Sequence, residues 1–156
     1  MTAGCGSTTE GTAAPASSDA AAGLWDPCTQ IPDSALSAAQ VDPSTKESGV
    51  AGVEQSGWKI CGWKGRRYDV TVYSTHRSAS EIANKDGNTN QQPVTIAGRA
   101  GTQFAAGFRT GCDVVFAAQQ GAAQIQILGR IDDDYPVDPC PTLANVGNSI
   151  VPVLPK

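Results

Sequence analysis

The residues of this chain best suited to chemistry are its five cysteines. Cys5 stands alone in a polar leader, whereas Cys28, Cys61, Cys112 and Cys140 lie among the apolar segments. No two of them form Cys-x-x-Cys and His76 is the single histidine, so the usual zinc-ligand spacings are missing and no metal is expected. The four later cysteines therefore read as two cystines, with all three pairings open at this point. Cystines in turn place the protein in an oxidising compartment, secreted or on the cell surface.

The remaining candidates are weaker. His76, next to Arg77, is of the right type for a general base, but a lone histidine beside an arginine reads as a solvated loop residue. No Gly-x-Ser-x-Gly elbow marks a nucleophile, so neither a catalytic residue nor a cofactor is expected and the protein reads as a non-enzyme. Asp132, Asp133, Asp134 and Asp138 form the densest charge cluster. Calcium loops need a defined spacing and a closing glutamate, both absent here, which leaves a solvated turn. Trp25, Trp58 and Trp63 cluster in sequence around the first cysteines and read as core before they read as a pocket wall. The grouping that stands out as a candidate binding surface is Trp58 and Trp63 with Arg66 and Arg67 at a hairpin tip. Indole and guanidinium together suit carboxylate or phosphate head groups.

Net charge is −4 and the eleven basic residues are scattered, the wrong footprint for a phosphate backbone, so nucleic acid is not an expected partner. No stretch of 18 apolar residues occurs, so membrane attachment has to come from a covalent anchor or a partner. Gly6 to Ala22 is almost entirely Ser, Thr, Ala, Gly and Pro, a tether composition. Before it, Met1-Thr2-Ala3-Gly4 leads into Cys5, and small residues ahead of a cysteine resemble the end of a bacterial lipobox, in which the cysteine is diacylated and becomes the mature N-terminus. Thr2 stands where a lipobox usually has leucine. The expected organisation is residues 1–4 as the remnant of a signal peptide, 5–23 as lipidated cysteine and tether, and 24–156 as one globular domain. Cys5 then anchors that domain to the cell membrane on its extracytoplasmic face.

The elements that must position these residues follow from pattern. Asp26-Pro27-Cys28 and Asp138-Pro139-Cys140 each place a capping aspartate before a proline at the first helical position. Ile31 to Val41 carries helical spacing, and Leu143, Val146, Gly147 and Ile150 share a helix face. Ser44 to Gly57 reads as loop. Trp58–Trp63 and Tyr68–Tyr73 alternate as strands around Gly65-Arg66-Arg67. Ser78 and Glu81 have capping-box spacing for a short helix. Pro93–Ile96, Gly101–Phe104, Cys112–Ala118 and Ala123–Ile131 read as further strands, the last two a hairpin around Gln119-Gln120-Gly121. Ile125, Ile127 and, after a slip at Leu128, Ile131 are expected to mark a buried face. The resulting class is α+β, an antiparallel sheet with packed helices in a single domain stapled by two disulfides.

Asp26-Pro27-Cys28, Cys61-Gly62-Trp63, Gly111-Cys112-Asp113-Val114 and Asp138-Pro139-Cys140 together resemble an uncharacterised family of actinobacterial, especially mycobacterial, cell-surface lipoproteins, over about Trp25 to Leu154. The resemblance implies pairing of Cys28 with Cys61 and of Cys112 with Cys140. Loops of about 34 and 29 residues would then each be worth roughly 3–4 kcal/mol in the chain-entropy account. It also implies a lipid-anchored envelope protein that binds or assists, with an envelope protein, lipid or glycan as partner. The alternatives are a surface antigen without a specific ligand and an enzyme with an unrecognised site.

Overall fold

Alternation of large and small side chains builds the sheet. In the computed structural model, which describes residues 20–156, Trp58–Lys64 (β2) and Tyr68–Thr75 (β3) pair antiparallel with Ile60 opposite Tyr73 and Cys61 opposite Val72. Gly111–Ala118 (β6) and Gly121–Gly129 (β7) form a second hairpin that closes with Ala118 opposite Gly121. Gly121 has φ +145, and a Cβ there would lie 2.5 Å from the His76 backbone, so the hairpin needs glycine at this place. Thr89–Ile96 (β4) and Arg99–Ala105 (β5) make a third, joined by Ala97 and Gly98 with φ of +50 and +77, the left-handed pair a tight two-residue turn requires. The two-residue strand Glu47–Ser48 (β1) adds to β2. The seven strands form one antiparallel sheet in the order β1-β2-β3-β7-β6-β5-β4, and sheet supplies most of the regular structure.

One face of the sheet is covered by helices Pro27–Gln30 (α1), Asp33–Ala38 (α2) and Pro139–Ile150 (α4). Between them and the strands lies the main core, with Leu36, Trp63, Val70, Val72, Val114, Phe116, Ile125, Ile127, Leu143 and Ile150 fully buried or nearly so. Two bonds fix this layer covalently: Cys28–Cys61 ties α1 to β2, and Cys112–Cys140 ties β6 to the first turn of α4. That is the pairing the family resemblance implies. Gly147 lets α4 approach the sheet, since a Cβ there would meet Ile96 Cγ2 at 2.5 Å, and Gly101 makes room within the sheet for the Phe116 ring of the neighbouring strand, which a Cβ would meet at 2.7 Å. Among the described residues the opposite face carries the short helix Ala79–Ala83 (α3). Ser78 caps it by accepting from the Glu81 amide, and Ile82 and Ala83 pack on Phe104, Val115 and Ala122.

Four expectations from sequence are corrected. Ile131 is 91% exposed and belongs to no strand, because β7 ends at Gly129, where β6 has no further residue to pair with and the Arg130 amide turns to the Arg67 carbonyl. The stretch Ser44–Gly57 is not all loop: the 3-10 turn Pro43–Thr45 and β1 lie within or beside it. Asp26 caps α1 by accepting from the Cys28 amide at 2.9 Å, whereas the second triplet differs, Asp138 making no side-chain capping bond to α4. The folded part also begins before residue 24: Ala21 is buried, the Ala22 carbonyl faces His76 Nε2 at 3.0 Å, and the Trp25 amide donates to Gln120. Cys5 and the tether residues before Ala20 lie outside the described residues.

Candidate functional site

The second face of the sheet, where α3 leaves the strands uncovered, holds the group of residues that sequence reasoning missed. Period-2 alternation puts Tyr73 of β3, Gln124 and Gln126 of β7 and Asp113 of β6 on this face, and the pairing register sets Tyr73 opposite Gln124 and Gln126 opposite Asp113. Asp113 is completely buried. Its Oδ1 accepts from Gln124 Nε2 at 2.7 Å and from Gln126 Nε2 at 3.1 Å, while its Oδ2 is buried with no hydrogen-bond partner among the described residues. Tyr73 completes the row by donating its hydroxyl to Gln126 Oε1 at 3.0 Å.

Electrostatics follow from that burial. Removal from water raises the Asp113 carboxyl to about 6, and the two carboxamide donors offset only part of the shift. Burial and then the nearby Asp113 charge push the Tyr73 phenol up to about 12, so it stays a donor throughout the physiological range.

Above this row opens a cleft of about 670 Å³. Its walls are Trp58, Ile60, Tyr73 and Phe104, with Trp58 edge-on to Tyr73 at 6.0 Å between ring centres, and Gln124 and Gln126 form the floor. Val50 and Phe108, two of the few large apolar side chains left half-exposed, stand at its rim, with Lys85 and Asp86 at the mouth. An apolar-walled concavity with a few fixed polar groups is the usual form of a small-molecule site.

The surface expected from sequence does not assemble. Trp63 is 2% exposed, on the helix-covered face, with its indole N–H buried and without a partner among the described residues. Trp58 points to the other face of the same strand. Arg66 and Arg67 sit at the far end of β2, about 20 Å along the strand from Trp58 at roughly 3.3 Å per residue. There they line a larger groove of about 1170 Å³. Two of its three cations are already engaged: Arg67 donates to the Tyr135 carbonyl and pairs with Asp133, and Arg130 binds Asp69 Oδ1 and the Gly65 carbonyl. Asp133 thus belongs to a turn tied to the β2–β3 hairpin. His76 is not placed as a base, since its two ring nitrogens each face a carbonyl oxygen, of Gln120 and of Ala22, at 3.0 Å. Among the described residues no group of three or more His, Cys, Asp or Glu side chains is arranged to hold a metal ion.

A model of the family described as "Protein of unknown function (DUF3558)" matches residues 1–152. The chain belongs to this family. The DUF3558 match takes in both cystines and every residue of the cleft. No curated protein matches the chain. No solved structure matches it either.

Proposed function

We propose that this DUF3558 protein is a lipid-anchored, extracytoplasmic, non-enzymatic binding protein of an actinobacterial cell envelope, and that it binds its partner molecule in the cleft on the second face of the sheet. The observation that carries the binding reading is the buried row Tyr73–Gln126–Asp113–Gln124 under an aromatic cleft. A carboxylate so far from water, with one oxygen unpartnered, is costly to a fold that could place an apolar residue there, and such cost is usually retained for recognition. Non-enzymatic binding is favoured because the Tyr73 hydroxyl is spent on a carboxamide and the carboxylate nearest it in the row, Asp113, is buried under Gln124 and Gln126. The two cystines support an oxidising location, and the Cys5 context supports the anchor. Two acyl chains suffice for stable attachment where one would be marginal.

The test has two arms. With the gene expressed behind its native upstream codons, Cys5→Ser should move the protein from the membrane to the soluble fraction; unchanged membrane recovery removes the anchor. Native mass spectrometry of the full chain, purified mildly from envelope, should show an added small-molecule mass that Trp58→Ala loses. A bare mass from envelope extracts, with no change of Trp58 fluorescence on adding them back, removes the binding reading.

A further inference from the structure

The polar lining of the cleft both donates and accepts, and it is almost free of charge. Gln55, Ser56 and Asn88 face it from the covering loops, and Gln124 and Gln126 from the floor. Each of the four carboxamides places one N–H on the protein itself: Gln55 on the Val53 carbonyl, Asn88 on that of Ile82, and Gln124 and Gln126 on Asp113 Oδ1. A carboxamide carries two N–H groups and an acceptor oxygen, so a second N–H remains on every one of them. The side-chain oxygens of Gln55, Asn88 and Gln124 accept no hydrogen bond among the described residues. Gln124 and Gln126, two positions apart on β7, are spaced by roughly 7 Å, about the span of one sugar ring, and the buried carboxylate beneath fixes their orientation in advance. The charged side chains of the lining are Lys85 and Asp86, one of each sign. Trp58 and Tyr73 stand at 82° to each other, so two aromatic planes meet in a corner of the wall.

We propose that the cleft takes a neutral sugar, a pyranose unit whose C–H face lies against the Trp58 indole and whose ring hydroxyls bond the carboxamides of Gln124 and Gln126 below and of Gln55 and Asn88 above. This rests on the cleft being the binding site. A hydroxyl donates and accepts at once, so neighbouring hydroxyls of one ring match the N–H and the oxygen of a carboxamide together. The C–H hydrogens of a pyranose carry slight positive charge and meet the negative face of an aromatic ring. An alkyl chain of the same bulk would bury the carboxamides with nothing to bond, the penalty by which a polar site rejects an analogue that lacks its hydroxyls. A charged sugar would leave water for a site whose two charges already offset each other, and would gain no ion pair in return.

Probes of one ring size separate the possibilities: the methyl pyranosides of glucose, galactose, mannose and arabinose with their disaccharides, cyclohexylmethanol as a ring without ring hydroxyls, and methyl glucuronoside as a charged sugar. Each is titrated into the full-length protein at pH 7.5 and followed by NMR at the Trp58 indole N–H and the side-chain amides of Gln124 and Gln126. At least one neutral sugar should shift all three signals and bind about tenfold or more tightly than both cyclohexylmethanol and the glucuronoside. Replacing single hydroxyls of that sugar by hydrogen should weaken binding about fivefold or more at one position or several, a reading that needs no variant of the protein. Trp58→Ala should abolish the shifts at both glutamines. Cyclohexylmethanol or the glucuronoside binding as tightly as the best neutral sugar, or a deoxy series without loss, would overturn the sugar reading and leave the cleft as the binding site. No shift with any sugar also overturns it; envelope extract that still perturbs Trp58 then keeps the cleft as the site, and extract without effect removes both.

Discussion

Replacing Asp113 by asparagine should stabilise the protein at neutral pH, and the size of the effect can be worked from the buried carboxyl. Its value is about 6 in the folded chain against an ordinary 3.8, so the folded state holds the proton more tightly than the unfolded one. Stability falls wherever the native state binds more protons than the unfolded state as pH rises. The loss therefore begins near pH 4, accumulates to about pH 6 and is constant above. Its full extent is on the order of 3 kcal/mol at pH 7, and only a small part of it is present at pH 4. Asparagine keeps an acceptor for the Gln124 and Gln126 amides and cannot ionise, although its NH2 group replaces Oδ2 in a site without an acceptor, which returns roughly 1 kcal/mol. The assay is urea unfolding of both proteins at half-unit steps from pH 4 to pH 8. Other carboxylates titrate in the same window, but they are common to the two proteins and cancel in the difference. That difference should grow by about 2 kcal/mol in favour of Asp113→Asn between pH 4 and pH 7. A flat difference, or one that favours the wild type increasingly as pH rises, refutes the account of Asp113 as a buried, under-partnered carboxylate.

Loss of either cystine should be costly: Cys28→Ala/Cys61→Ala and Cys112→Ala/Cys140→Ala, which open loops spanning 33 and 28 positions, should each lose about 3–4 kcal/mol in urea midpoints, and equal midpoints with and without reductant would contradict this. Gly147→Ala should destabilise by about 1–3 kcal/mol, since the new methyl meets Ile96 between α4 and β4; thermal unfolding reads it, and an unchanged midpoint counts against such close packing. His76→Ala should loosen the start of the domain without unfolding it, seen as faster hydrogen exchange at the amides of Leu24 and Trp25, which bond to Ala21 and Gln120. Arg66→Ser should leave the thermal midpoint within about 0.5 kcal/mol of the wild type, Arg66 being an exposed turn charge that makes no ion pair among the described residues.

The covalent and local features were legible in the sequence because each depends on neighbours in the chain. The β2–β3 and β6–β7 hairpins follow from alternation around turn residues, and the Ser78–Glu81 spacing placed α3. The cleft was harder to see. In β7 the order Gln124-Ile125-Gln126-Ile127 reads as one dry face and one wet face, and the cover over the glutamines comes from residues 50–56 and 85–88, far away in sequence. Two signals were nevertheless present. Asp113 sits inside a strand between Cys112 and Val114, where aspartate is disfavoured unless something compensates. Trp58 and Trp63 are an odd number of residues apart on one strand, so they cannot share a face. That parity alone separates the core tryptophan from the cleft tryptophan and dissolves the surface expected around Arg66 and Arg67.

The Cys28–Cys61 bond also decides how the molecule responds to being pulled. Tension applied at the N-terminal side enters at Ala21–Trp25 and meets the bond three residues later, which transfers it directly to β2, inside the sheet between β1 and β3. Helices α1 and α2 and the stretch up to Ile60 lie within the closed loop and lengthen by nothing under load. Peeling is confined to the few residues before Cys28, after which the force enters β2 at Cys61, the middle of its seven-pair register with β3. An extension curve should accordingly show a small early yield from the His76 and Gln120 contacts, then a single high barrier, and reduction of the disulfide should replace that barrier with gradual unravelling of the helices.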